Sequence, residues 1–98
     1  MTVNKTQQGG ELIVEIEGRL DTSTAPQLEA SLDTLDGVTK LVLDFEKLEY
    51  ISSAGLRVLL GAQKKMNAKG EMVIRNVNDT IMEVFDITGF ADILTIEK

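Results

Sequence analysis

Two adjacent hydroxyls, Ser52 and Ser53, are the groups of this chain best placed to do chemistry. They follow an apolar strand pattern, Leu41-Val42-Leu43-Asp44-Phe45, and open a helical pattern that runs to about Lys69. The first turn of a helix has unpaired backbone N–H groups and the positive end of the macrodipole. That place suits a serine as a cap, and it equally suits a phosphate carried on that serine. As an N-cap, Ser53 would contribute about 1 kcal/mol to the helix. As a phosphoacceptor, it would make the chain a switch.

Little else in the sequence offers catalysis. There is no histidine and no cysteine. Disulfides, Cys/His zinc sites, Ser-His-Asp triads and Cys-His dyads are therefore excluded. Carboxylates, lysines and a single tyrosine remain. Gly9-Gly10 is too short to cradle a phosphate and sits in a turn. The expectation is a binding module that is not an enzyme and has no cofactor or metal of its own. The formal net charge is −6. That charge disfavours nucleic acid and anionic membrane surfaces. Lys64, Lys65 and Lys69 read as the solvated C-terminal part of a helix, where positive charge suits the dipole. No apolar run approaches the roughly 20 residues that span a bilayer, and Met1–Lys5 has no apolar signal-peptide core. A cytoplasmic protein without direct membrane insertion is expected.

The elements that must position the serines follow from periodicity. Thr2–Thr6 reads as an edge strand and Gln7-Gln8-Gly9-Gly10 as a turn. Leu12, Val14 and Ile16 recur with period two, a strand with one buried face that closes a hairpin. Gly18-Arg19-Leu20-Asp21 is expected to leave that strand. Thr22-Ser23-Thr24-Ala25-Pro26 is a helix start, with hydroxyls to cap and the only proline near the first turn. Leu28, Leu32 and Leu35 give helical spacing, and Gly37 ends it. Lys40–Phe45 is a strand buried on both faces, and 46–51 a connection leading to the serines. From Ala54 the chain is helical, with Leu56, Leu59 and Leu60 on the core side and Gly70 as a stop. Met72-Val73-Ile74 is a short strand. Asn78-Asp79 caps a helix that ends at Gly89. Phe90–Ile96 is an apolar tail, a turn of helix and then an edge strand. Alternating strands and helices imply one α/β domain over residues 1–98. Its central sheet is expected to be mixed, with about four to five strands and helices packed against it.

These residues resemble the STAS domain family, whose fold is shared by bacterial anti-sigma-factor antagonists and the cytoplasmic tails of sulphate transporters. One block carrying the resemblance is Gly18-Arg19-Leu20-Asp21. The other is Leu43-Asp44-Phe45, then Leu48, then Ile51-Ser52-Ser53-Ala54-Gly55-Leu56. In the antagonist branch, the serine two places before the glycine is phosphorylated by a partner that is both anti-sigma factor and serine kinase. The resemblance implies Ser53 as that residue, with Ser52 as second choice, because Ser52 stands where the family often has aspartate. It further implies release of the anti-sigma factor on phosphorylation, and a serine phosphatase that resets the cycle. The alternative is a non-phosphorylated STAS-type adaptor subunit of a transport or sensory (stressosome-like) assembly.

The implied docking face comprises Asp21, Thr22, Ser23, Thr24, Ser52, Ser53, Ala54, Gly55, Arg57 and Val58. Asp21 also reads as a turn or cap residue. Val58 reads either as core or as part of a surface patch beside Arg57 that meets a partner. Gly55 is costly in a first helical turn, and a close approach by another backbone is one reason for it. Asp21 and Asp44 are both expected near Ser53, since each follows a strand end. Asp44 at a strand end also resembles the phosphoacceptor of a receiver domain, but the chain lacks an early acidic pair and is short by a βα unit.

Overall fold

The computed structural model describes residues 1–97. Thr2–Gln8 (β1) and Glu11–Leu20 (β2) form an antiparallel hairpin. Gly9 turns it at φ +59°, a left-handed conformation that costs glycine little. Then follow Ala25–Ser31 (α1), Lys40–Asp44 (β3), Leu48–Ile51 (β4), Ser53–Asn67 (α2), Glu71–Arg75 (β5), Asp79–Thr88 (α3) and Thr95–Glu97 (β6). A 3-10 turn, Phe90–Asp92, precedes β6. Among the described residues the mixed sheet has six strands, ordered β1-β2-β3-β5-β6, with β4 paired to the far end of β2. Every pairing except β1–β2 is parallel. Successive crossovers step the same way across the sheet, so right-handed connections place all three helices on one face. The core lies between them. Leu12, Val14, Ile16, Leu41, Leu43 and Ile74 meet Leu28, Leu59, Ile81 and Phe85, all of them buried. No helix is long and apolar enough to cross a membrane.

Four elements differ from the sequence-based expectation. Gly18 does not end β2. At φ +101° it carries a register shift, and the strand continues to Leu20. Residues 46–51 are not a simple connection, because Leu48–Ile51 pairs with the extension of β2 as a sixth strand. Its alternation is too short to show in the sequence: only Leu48 and Ile51 are buried. The first helix ends at Ser31, with Leu35 beyond it. Bonds of the i→i+3 type, Leu32 N–H to Glu29 O and Asp33 N–H to Ala30 O, tighten its end into a turn. Finally, Asp44 does not accompany Asp21. It lies opposite Glu15, six residues before Asp21 on β2, roughly 20 Å away along an extended strand.

Asp44 has a structural partner set instead. Its Oδ1 accepts from Asn76 Nδ2 and from the Glu46 N–H, each at 3.0 Å, and its Oδ2 lies 3.6 Å from Arg75 Nε. Burial alone would push the carboxyl up. The Asn76 and Glu46 donors and the Arg75 charge outweigh it, and the group titrates below its ordinary value of 3.8. A carboxylate so engaged ties the ends of β3 and β5 together, a structural role in place of the receiver-domain reading. Asp44→Ala should cost about 2 kcal/mol in urea unfolding, since it strands the Asn76 and Glu46 donors. Because the folded value lies below 3.8, the stability that Asp44 contributes is fully present above pH 3.8 and is lost progressively as pH falls from there through the lowered folded value. Asp44→Asn, which keeps an acceptor, should therefore show a flatter acid-side decline than wild type. Superimposable acid profiles would contradict this account of Asp44.

Candidate functional site

The site is built by the extension of β2. Beyond Gly18, Arg19 pairs with Tyr50 and Leu20 with Ile51, and the Ser52 N–H donates to Leu20 O at 2.9 Å. Asp21 and Ser52 are consequently neighbours, at the points where the chain turns into α1 and α2. Leu20 and Ile51 point into the core. Gly55, buried in the first turn of α2, sits on them. A Cβ there would lie 2.7 Å from Leu20 Cγ and 2.9 Å from Ile51 Cγ1. The close approach is therefore to two apolar side chains, not to another backbone as the sequence suggested. Relieving a methyl at this point would cost about 1–3 kcal/mol.

The two serines have different tasks. Ser52 is the N-cap of α2, in extended conformation, and its Oγ accepts from the Gly55 N–H at 3.5 Å. Ser53, for which the sequence left a capping role open, is instead the first helical residue. It is exposed, and its hydroxyl makes no hydrogen bond among the described residues.

Asp21 organises the neighbouring turn. Its Oδ1 accepts from the Ser23 N–H (3.0 Å), the Ser23 hydroxyl (2.7 Å) and the Thr24 N–H (3.2 Å). Thr24 Oγ1 accepts from the Asp21 N–H and donates to Arg19 O. Thr24 is thus the N-cap residue of α1 without a side-chain capping bond: the Asp21 carboxylate holds the turn before the helix, and the first-turn N–H groups of Ala25, Gln27 and Leu28 donate to the backbone oxygens of Asp21 and Thr24. The Ser23 hydroxyl, foremost among these donors, holds the Asp21 carboxyl below 3.8 against a smaller opposing effect of burial. Asp21 is therefore ionised at neutral pH.

Of the predicted docking residues, Thr22, Ser23, Ser53 and Arg57 are exposed, and Asp21, Thr24, Ser52 and Ala54 are half-buried. Gly55 is buried. Val58, for which the sequence left a surface place open, is also buried, at 8% exposure, because α1 packs against α2 over it. It forms the floor of a shallow groove between Thr22, Pro26 and Glu29 on one side and Ala54 and Arg57 on the other.

Sequence reasoning missed the Arg19–Tyr50 pair. The guanidinium of Arg19 stacks 4.3 Å from the centre of the Tyr50 ring and lies 3.8 Å from Asp21 Oδ2. Tyr50 is 40% exposed. The pairing was invisible because it depends on β4, whose strand character the sequence conceals. Among the described residues no three His, Cys, Asp or Glu side chains converge as metal ligands.

The division of labour between the serines has a measurable consequence. Ser52→Ala should destabilise the fold by about 0.5–1 kcal/mol, the smaller end reflecting its long capping bond. Ser53→Ala should change stability by less than about 0.5 kcal/mol. Urea unfolding separates the two, and equal losses would place both hydroxyls in the cap.

Comparison with known proteins agrees with this architecture. The profile of the STAS domain matches residues 2–98. The chain is 40% identical over 90 residues to a putative anti-sigma factor antagonist, BtrV, of Bordetella bronchiseptica, covering 89% of this chain and 78% of that one. It is 31% identical over 101 residues to the anti-sigma-B factor antagonist of Staphylococcus aureus, covering 100% of this chain and 94% of that one. The fold superposes on the Bacillus cell fate determinant SpoIIAA in its phosphorylated form with a TM-score of 0.76. That match spans 99% of this chain and 92% of that one at 22% identity, so it bears on the fold alone. A profile match over nearly all of its length, and relatives above 30% identity matched over most of theirs, establish that this chain belongs to the STAS domain family.

Proposed function

We propose that this chain is an anti-sigma-factor antagonist in a partner-switching circuit, with Ser53 as its switch. Unphosphorylated, it docks on an anti-sigma factor that is also a serine kinase. The kinase transfers the γ-phosphoryl group of ATP to Ser53 Oγ. ADP leaves, and the hydroxyl proton passes to a base of the kinase or to water. The pair then separates, and a serine phosphatase restores the hydroxyl by hydrolysis. ATP and magnesium belong to the kinase, and the circuit is cytoplasmic.

The observation that carries this reading is the uncommitted Ser53 hydroxyl at the first residue of α2, beside a neighbour that already supplies the cap. Modifying Ser53 breaks no bond that the fold uses. Ser52 replaces an aspartate frequent in the family, yet serine and aspartate cap helices about equally well, so the replacement preserves the geometry at Ser53. A phosphate adds about −1.5 to −2 charges at neutral pH. The helix N-terminus tolerates that charge, while the ionised Asp21 beside it makes the docking face strongly negative. Two relatives named as anti-sigma factor antagonists, one of them matched end to end, support the same reading.

Incubation with ATP, magnesium and lysate of the native cells, followed by fragment mass spectrometry, should place one phosphate on Ser53. The phosphate should persist in Ser52→Ala and vanish in Ser53→Ala. Ser53→Asp should bind the captured partner at least about tenfold more weakly than Ser53→Ala. Phosphate on Ser52 would move the switch by one residue. No phosphate, with equal partner capture by Ser53→Asp and wild type, would leave the passive adaptor.

A further inference from the structure

Arg57 stands one turn after Ser53 on the same face of α2. In an α-helix, side chains at i and i+4 have Cβ atoms about 5–6 Å apart, and each Cα–Cβ bond tilts toward the N-terminus. The Arg57 stem therefore leans back toward Ser53. An anion N-terminal to a cation is the favoured order of such a pair. The other two arginines are engaged, Arg19 with Asp21 and Tyr50, and Arg75 with Asp44. Arg57 is exposed and makes no ion pair among the described residues. It lines the groove between α1 and α2, opposite Glu29.

We propose that Arg57 is the built-in counter-ion of a phosphate on Ser53, its guanidinium turning from the α1–α2 groove onto the phosphoryl oxygens one helical turn away. The proposal rests on Ser53 as the modified residue. A guanidinium offers paired donors that match phosphate oxygens bidentately, and the pairing is charge-assisted. Arg19 is held by Asp21 and Tyr50, which leaves Arg57 as the unpaired arginine of the site among the described residues. Asp21 at the end of β2 repels the phosphate. Glu29 on α1 and Asp33 after it share the groove walls with Arg57 but form no ion pair with it. Lys65 is two further turns along α2. Phosphorylation would then change the docking face in two ways at once: it adds negative charge beside Asp21 and withdraws the cation from the groove.

The test installs phosphoserine at position 53 during synthesis by codon suppression, in the whole chain. Its outcome is thus independent of whether any cellular kinase selects Ser53. Phosphorus NMR then follows the second ionisation of the phosphate against pH. Arg57→Ala should raise that pKa by about half a unit, a ~3-fold change in the ionisation constant. Arg57→Lys, which keeps the charge but not the fork, should lie between Arg57→Ala and wild type. Lys65→Ala should leave the value where wild type has it. The same pKa in Arg57→Ala and wild type would overturn the proposal. So would an equal rise in Lys65→Ala, which would mark a diffuse field in place of a pair. Arg57 is exposed, so these variants should fold, and circular dichroism checks that they do.

Discussion

The structure around the candidate site depends on one event, the change of partner that β2 undergoes at Gly18. Before it, β2 pairs with β3 through Glu15; after it, β2 pairs with β4. A residue at φ +101° with no side chain to clash makes the shift inexpensive, and the Gly18 N–H finds Lys47 O at 3.0 Å. The extended strand end carries Leu20 into the core and Asp21 to the surface beside Ser52. Leu20 and Ile51 then form the apolar seat on which Gly55, and with it the first turn of α2, is held. A straight strand ending at Gly18 would leave the start of α2 with neither seat nor neighbour.

Under the proposed function, that seat would let the switch act without unfolding its carrier. The groups that hold the turn lie under it: Leu20, Ile51, the Ser52 cap and the backbone bond from Ser52 to Leu20. The group available for modification lies above it. Ser53 is fixed in position by its neighbours and contributes little in return, so charge can be added there and felt mainly by whatever docks. The partners of Asp21 complete the arrangement. Its carboxylate is held ionised by Ser23 and Thr24 and oriented by Arg19, which stacks on Tyr50. The rim of the proposed docking face is therefore itself hydrogen-bonded, which would limit how far it could rearrange on phosphorylation.

The sequence announced the elements that carry strong local signals. The hairpin, the buried β3, the Asn78 cap and the Gly89 stop of α3 all appear where periodicity and capping residues put them. The two-serine junction was legible for the same reason. The residues misread were those whose conformation is decided by distant partners. Leu48–Ile51 is a strand only because β2 extends far enough to pair with it. Ser52, not Ser53, caps because the strand runs on through Ile51. Val58 is buried because α1 crosses it, although Arg57 next to it is exposed. Asp44 looked like a companion of Asp21 because both follow strand ends. Register, which no single-sequence pattern encodes, separates them.

Phosphate on Ser53 is proposed to alter a docking face and leave the fold intact. Backbone amide NMR of the chain with and without phosphoserine at position 53 tests it most directly. The account predicts shift changes confined to Asp21–Thr24, the first two turns of α2 and the facing side of α1, with the amides of β1, β3, β5 and α3 unmoved. Changes spread through the sheet would contradict it, because they would mean that the phosphate acts by rearranging the core.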